Sequence, residues 1–357
     1  MSPRLAEHIA CVPPSGIRKF FDIVSEMKDA ISLGVGEPDF VTPWAYSDAA
    51  IYSMRAGHTH YTSNWGLIEL RRAINEYQRE RFGLEYRPEN EILVTVGASE
   101  GIDLALRAIV NPGDEVLVPD PSYVSYAPGV RFSHGVCVPV PTRAENGFRI
   151  TAQDVKAHIT PKTKAIILPY PNNPTGAVMP ESELRALADV LRESGVLVIS
   201  DEIYAELTYA GTHHSIAAIE GMRDNTIVLN GFSKAFAMTG WRMGWACAPK
   251  DIMESMFKIH QYTMLCAPTA GQYAALEALR SNAASGYADV QKMVRAYDRR
   301  RRFLVKALGE IGLSCFEPLG AFYAFPSIAG TGLSSDAFCV ALHYDLNVAA
   351  VPGSAFE

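Results

Sequence analysis

The feature that most restricts the fold of this chain is an alternation between residues 91 and 230. Short, continuous apolar runs are separated there by stretches of helical periodicity. The runs are "EILVTV" (91–96), "DEVLVP" (114–119), "HGVCVPVP" (134–141), "KAIILPY" (164–170), "VLVIS" (196–200) and "TIVLN" (226–230). Continuous apolar runs of this kind suit strands covered on both faces, as in a mostly parallel sheet. Between them, "SEGIDLALRAIV" places Ile102, Leu104, Ala105, Leu106 and Ile109 as a buried helix would. "ESELRALADVLRESG" has apolar residues at 184, 187, 188 and 191, one face of a helix. The pattern predicts an α/β fold, a mostly parallel sheet with helices on both faces.

The flanks differ from the centre. Residues 1 to 45 are Pro-rich and irregular after one short helix. Beyond 281 a charged helical stretch leads to "GAFYAFP" and "LNVAAVPG", which have the look of strands. The layout predicted is a large domain over 46–280 and a smaller α+β domain made of both ends, 1–45 and 281–357. A net charge of −7 argues against a dedicated nucleic-acid binder. The six cysteines form no CxxC pair and no metal-ligand grid, so no metal is expected. Free scattered thiols suit a reducing compartment. With no secretory leader and no apolar span, the expectation is a soluble, cytoplasmic protein without membrane partners.

Ligands of open α/β sheets bind beyond the carboxyl ends of the strands. After 91–96 comes "GASEG", either an anion-binding helix start or a glycine turn capped by Ser99. After 164–170 comes "PNNPTG", a tight loop with Asn173 at its tip. After 196–200 comes Asp201, which either caps a following helix or holds a protonated ring nitrogen. After 226–230 comes Lys234, in "NGFSKAFAMTGWR". A lysine partly desolvated at a strand end is a candidate imine-forming amine, because burial frees its lone pair. Arg242, eight positions on, is an anion clamp or a surface residue. A phosphate cup, a carboxylate, hydrogen-bonding Asn and Tyr side chains and a reactive amine together match the needs of pyridoxal phosphate.

The ordered series "SLGVGEPDFVTP", "YTSNWGLIELRRAI", "VTVGASEGI", "PNNPTGAV", "VISDEIYAEL", "NGFSKAFAMTGWRMGW" and "GAFYAFP…VPGSAF" resembles the fold-type I, class I pyridoxal-phosphate aminotransferases. The similarity runs from about residue 15 onward and points to the branch of aspartate, aromatic and N-acetyl-diaminopimelate aminotransferases. It implies a seven-stranded, mostly parallel sheet and a ping-pong transfer of an amino group from an amino acid to a 2-oxo acid. It implies that Lys234 forms a Schiff base with pyridoxal 5′-phosphate and then moves the proton at substrate Cα. Asp201 would pair with the ring N–H, and Asn173 and Tyr204 would bond the phenolic oxygen. Tyr123 would stack on the ring. Ala98, Ser99, Ser233 and Arg242 would hold the phosphate. Tyr61 would reach the phosphate of a neighbouring subunit, implying a homodimer with shared sites. Gly36, Phe40, Asn173 and Tyr123 would line the substrate pocket.

The resemblance also implies a strand beyond "VPGSAFE" whose arginine grips the substrate carboxylate bidentately. Residues 320–357 contain no arginine. The expectation for this chain is therefore normal cofactor binding with weak or absent transamination. Specificity for an acidic side chain would call for a cation, yet the helix after "GAS" begins with Glu100. Ile17, Phe40 and Tyr123 favour a neutral or aromatic side chain. A C–S lyase or another pyridoxal-phosphate enzyme of the same fold is the alternative reaction. A ligand-sensing module of a transcription regulator would need a helix-turn-helix, for which the residues before the resemblance are too few.

Overall fold

A computed structural model describes residues 4–14, 31–34 and 36–356. Ile17 lies outside the described residues. All six apolar runs form strands: β2 (Ile92–Thr95), β3 (Glu115–Asp120), β4 (Val136–Pro141), β5 (Thr163–Leu168), β6 (Leu197–Asp201) and β7 (Thr226–Gly231). Joined by β8 (Gly244–Cys247), they build one seven-stranded sheet in the order β2-β8-β7-β6-β5-β3-β4. β8 alone runs against its neighbours, and all other adjacent pairs are parallel. The carboxyl ends of β2, β3, β5, β6 and β7 therefore share one edge.

Side-chain alternation sorts the strands onto two faces. Leu93, Ile167, Ile199, Ile227 and Leu229 pack with Ile102, Leu106, Met253 and Met256, from the Gly97–Ile109 and Lys250–Thr263 helices. Ile166, Leu168 and Val198 pack with Leu184, Leu187 and Leu191 of the Glu181–Ser194 helix. A third cluster covers β8 and the flank of β7, where Trp245 and Val228 meet Leu70, Ile74, Ala274 and Ala275. All of these core side chains are buried. At ~1.5–3 kcal/mol for each fully buried large aliphatic or aromatic side chain, this packing is the main favourable term of the fold.

Both ends of the chain meet outside this sheet. β1 (Ile31–Ser32) pairs in parallel with β9 (Val348–Ala349), and the Ser335–Leu346 helix leads into β9. The charged stretch beyond 281 forms the Ala288–Glu310 helix. "GAFYAFP" corrects the sequence reading: it is an irregular segment with isolated bridges at Gly320 and Pro326 and no strand. Its backbone groups are committed elsewhere. Gly320 N–H donates to Gly176 O at 2.9 Å and Ala321 N–H to Leu207 O at 2.8 Å. A Cβ on Gly320 would lie 2.5 Å from Pro171, so only glycine permits this approach.

Candidate active site

The loop from β7 to β8 carries Lys234. It is cross-tied at its base, where Phe232 N–H donates to Met243 O at 3.1 Å. Thr42 Oγ1 donates to Ala237 O at 2.6 Å and accepts from Trp241 Nε1 at 3.1 Å, fastening the loop from outside. Phe232 and Phe236 are buried in the core, which leaves Lys234 as the partly exposed side chain of that run. Its Nζ donates to Gly36 O at 2.5 Å and lies 5.6 Å from the centre of the Tyr204 ring and 5.4 Å from that of Phe322. Burial lowers the amine to a pKa of about 8, helped by Arg242 and opposed by Glu37 and Asp201.

Asp201 ends β6 and is buried. Its Oδ2 accepts from Tyr126 Oη at 2.8 Å and its Oδ1 from Ile203 N at 3.2 Å. No described residue forms an ion pair with it, and burial raises its pKa to about 6. No α-helix follows directly, so this side chain caps a turn and not a helix. Tyr126, beneath the carboxylate, meets Tyr123 edge to face at 5.5 Å. Tyr123 follows β3 at the same edge of the sheet.

Tyr204 is buried, and its hydroxyl lies 2.5 Å from that of Tyr323. Tyr323 also faces Gly36, where an added Cβ would stand 2.6 Å from its hydroxyl oxygen. Phe40 joins the cluster of Tyr204, Phe322 and Tyr323, and packs edge to face on Tyr297 at 5.5 Å. Asn173 sits in the loop after β5, and its Oδ1 is buried with no hydrogen-bond partner among the described residues. A buried polar atom left unpaired is costly, so this oxygen is suited to a ligand group.

The Gly97–Ile109 helix begins on glycine, with Val96 and not Ser99 at its cap position. Glu100 turns back to accept from Val96 N at 2.5 Å. The first-turn N–H groups of Ala98 and Ser99 have no partner within the helix, as at any helix start. Arg242 lies against them: a Cβ on Gly97 would be 2.6 Å from Arg242 Nη2. That guanidinium makes no ion pair with a described carboxylate, and Nη1 donates to Thr239 O at 2.9 Å. Ser233 is buried beside Lys234. A cation at a helix start is an anion-binding arrangement. Tyr61 is 81% exposed within the single chain.

The structure thus gathers Lys234, Asp201, Tyr204, Asn173, Tyr123, Ala98, Ser99, Ser233, Arg242, Gly36 and Phe40 around one edge of the sheet. Sequence reasoning missed Tyr126 and Tyr323, which bond Asp201 and Tyr204. Tyr126 stands three positions after Tyr123, an available but weak signal. Tyr323 was hidden in a segment resembling a strand.

The profile of the family described as "Aminotransferase class I and II" matches residues 28–357. An aspartate aminotransferase of Pyrococcus abyssi is 46% identical over 353 residues, covering 99% of this chain and 90% of that protein. An aromatic-amino-acid aminotransferase of Thermococcus litoralis is 43% identical, covering 99% of this chain and 90% of its own length. The solved structure of aspartate aminotransferase from Thermus thermophilus with maleate superposes with a TM-score of 0.95 at 39% identity, covering 100% of this chain and 93% of that one.

Proposed function

The chain belongs to the class I and II aminotransferases, and from that premise we propose that it moves an amino group between an L-amino acid and a 2-oxo acid such as 2-oxoglutarate, using pyridoxal 5′-phosphate bound at Lys234. The observation that carries this reading is the pairing of a desolvated amine on Lys234 with a buried, ion-pair-free carboxylate on Asp201 at one sheet edge. The residues fit the cofactor. Among the described residues, Asp201 and Arg242 make no ion pair and Asn173 Oδ1 has no hydrogen-bond partner, and the cofactor's ring N–H, phosphate and phenolic oxygen would answer these groups.

When bound, the cofactor supplies an aldehyde that takes up amines and a protonated ring that draws electrons from Cα. Lys234 would hold it through Nζ, and the freed amine would then remove and return the proton at substrate Cα. A pKa of about 8 suits that role near neutral pH. Asp201 would keep the ring nitrogen protonated, with Tyr126 fixing the carboxylate. Tyr204 and Asn173 would bond the phenolic oxygen, and Tyr123 would cover the ring face. Ala98, Ser99, Ser233 and Arg242 would hold the phosphate. Gly36 and Phe40 would border the substrate, whose side chain we take to be neutral, aromatic or acidic. Tyr61 would serve the site of a second copy, making a homodimer. In support, Tyr61 is exposed, as are Tyr262, Met264 and Leu265, and the segment after Tyr61 is tied to theirs by Asn64 Nδ2 donating to Leu265 O at 2.5 Å. Residues 46–280 would form the cofactor domain and both ends the smaller one; the β1–β9 pairing supports that division.

The test is direct. Protein mixed with pyridoxal phosphate and reduced with borohydride should carry the label on Lys234, and any conversion of 2-oxoglutarate to glutamate by amino donors, even a weak one, should be lost in Lys234→Met. Colourless protein and an unlabelled Lys234 would end the cofactor reading. Pyruvate with ammonia from L-cystathionine would mean elimination in place of transfer.

A further inference from the structure

A second buried carboxylate stands directly behind Asp201. Glu202 is fully buried, and the two side chains leave the end of β6 in opposite directions. Asp201 turns to Tyr126, while Glu202 turns back over Ser200. Its Oε1 accepts from Ser200 Oγ at 2.8 Å and from Ser215 Oγ at 2.6 Å, and its Oε2 lies 3.0 Å from His213 Nε2. Its backbone is tied as firmly: N–H donates to Leu229 O at 2.8 Å, and the carbonyl accepts from Ala205 N at 2.9 Å. Tyr86 and Cys247 are further titratable groups near it, and burial pushes both upward so that they stay neutral. His213 reaches a cavity of about 220 Å³ that it shares with Tyr170, Met179 and Thr208.

A carboxylate so placed is expensive, and a neutral side chain could hold the same turn. Its charge also opposes ionisation of Asp201. Two carboxylates back to back repel, and a cation seated against Asp201 relieves both. The pair therefore favours a positively charged occupant over a neutral one.

We propose that Glu202 is a positioning residue for the cofactor: it anchors the end of β6, and its carboxylate, held behind Asp201 by Ser200 and Ser215, strengthens the hold on the protonated ring. This rests on the pyridoxal-phosphate reading of the site. Glu202 would act on the cofactor through Asp201.

The experiment compares wild type, Glu202→Gln and Ser215→Ala as holoenzymes. The pH titration of the cofactor's absorbance and its release in equilibrium dialysis are followed. Glu202→Gln should shift the absorbance midpoint down by about half to one pH unit and weaken retention about three- to tenfold. Ser215→Ala keeps the charge, so it should lower the melting temperature and leave the midpoint in place. If Glu202→Gln does not fold, the neutral Glu202→Met serves the same comparison. An unchanged midpoint in the neutral variant, or an equal shift in Ser215→Ala, overturns the proposal. Wild type that binds no cofactor would instead overturn the reading beneath it.

Discussion

At the scale of single residues, burial sets the chemistry. Lys234 has a pKa of about 8 in the folded chain against 10.5 for the free side chain. Between those values the unfolded chain binds more protons, so the stability of the cofactor-free protein should rise with pH from about 8 to 10.5. Below pH 8 the penalty is fully present. Lys234→Met should abolish amino transfer, remove that rise and stabilise the cofactor-free protein at pH 7; urea melts at a series of pH values check all but the activity. Asp201 behaves in the opposite sense, being raised to about 6. Tyr126→Phe removes its hydroxyl donor, a bond to a charged group worth ~1.5–3 kcal/mol. Asp201 should then ionise at a higher pH, and cofactor affinity should fall near neutrality and recover as pH rises. Equal affinity in both proteins across pH 6 to 9 would contradict this. The places of Lys234, Asp201 and Asn173 at strand ends were legible in the sequence because each stands at the end of a continuous apolar run. Tyr126 and Tyr323 were not, because a tyrosine's partner depends on chain segments far away in sequence.

At the scale of elements, the helix start at Gly97 is where backbone geometry and charge meet. Gly97 has φ +77°, and a Cβ there would meet Arg242 Nη2 at 2.6 Å. Gly97→Ala should cost about 1–3 kcal/mol of stability and weaken cofactor binding. Gly240→Ala, in the same loop as Lys234 with nothing within 4 Å, should stay within about 0.5 kcal/mol of wild type. Denaturation midpoints of the two variants decide it. The long alternating stretch made the strands easy to read, since each is buried on both sides. β8 escaped because it is four residues long and lies inside "RMGWACAP", where no periodicity can develop. "GAFYAFP" was misread for a related reason: its apolar residues cover Tyr204 and Lys234, and strands cover a core with the same residue types.

At the scale of the whole molecule, the exposed aromatic and aliphatic groups at Tyr61, Tyr262, Met264 and Leu265 are the part that a single chain does not explain. The proposed homodimer should appear as twice the chain mass in light scattering. Tyr61→Ala should weaken cofactor retention without displacing Lys234, and a monomeric wild type that retains the cofactor equally well would refute the shared site. Among the described residues no helix is long and apolar enough to cross a membrane. The layering was legible from residues 91 to 230 alone, whereas the meeting of β1 with β9 was not, because nothing local in two residues announces a partner so distant. The position of β8 has an outcome for biosynthesis. β2 leaves the ribosome before every other strand of the large sheet, yet the neighbour that it hydrogen-bonds to is the last to emerge. A nascent chain halted before Cys247 would therefore hold β2 with a bare edge, in need of a chaperone's shelter.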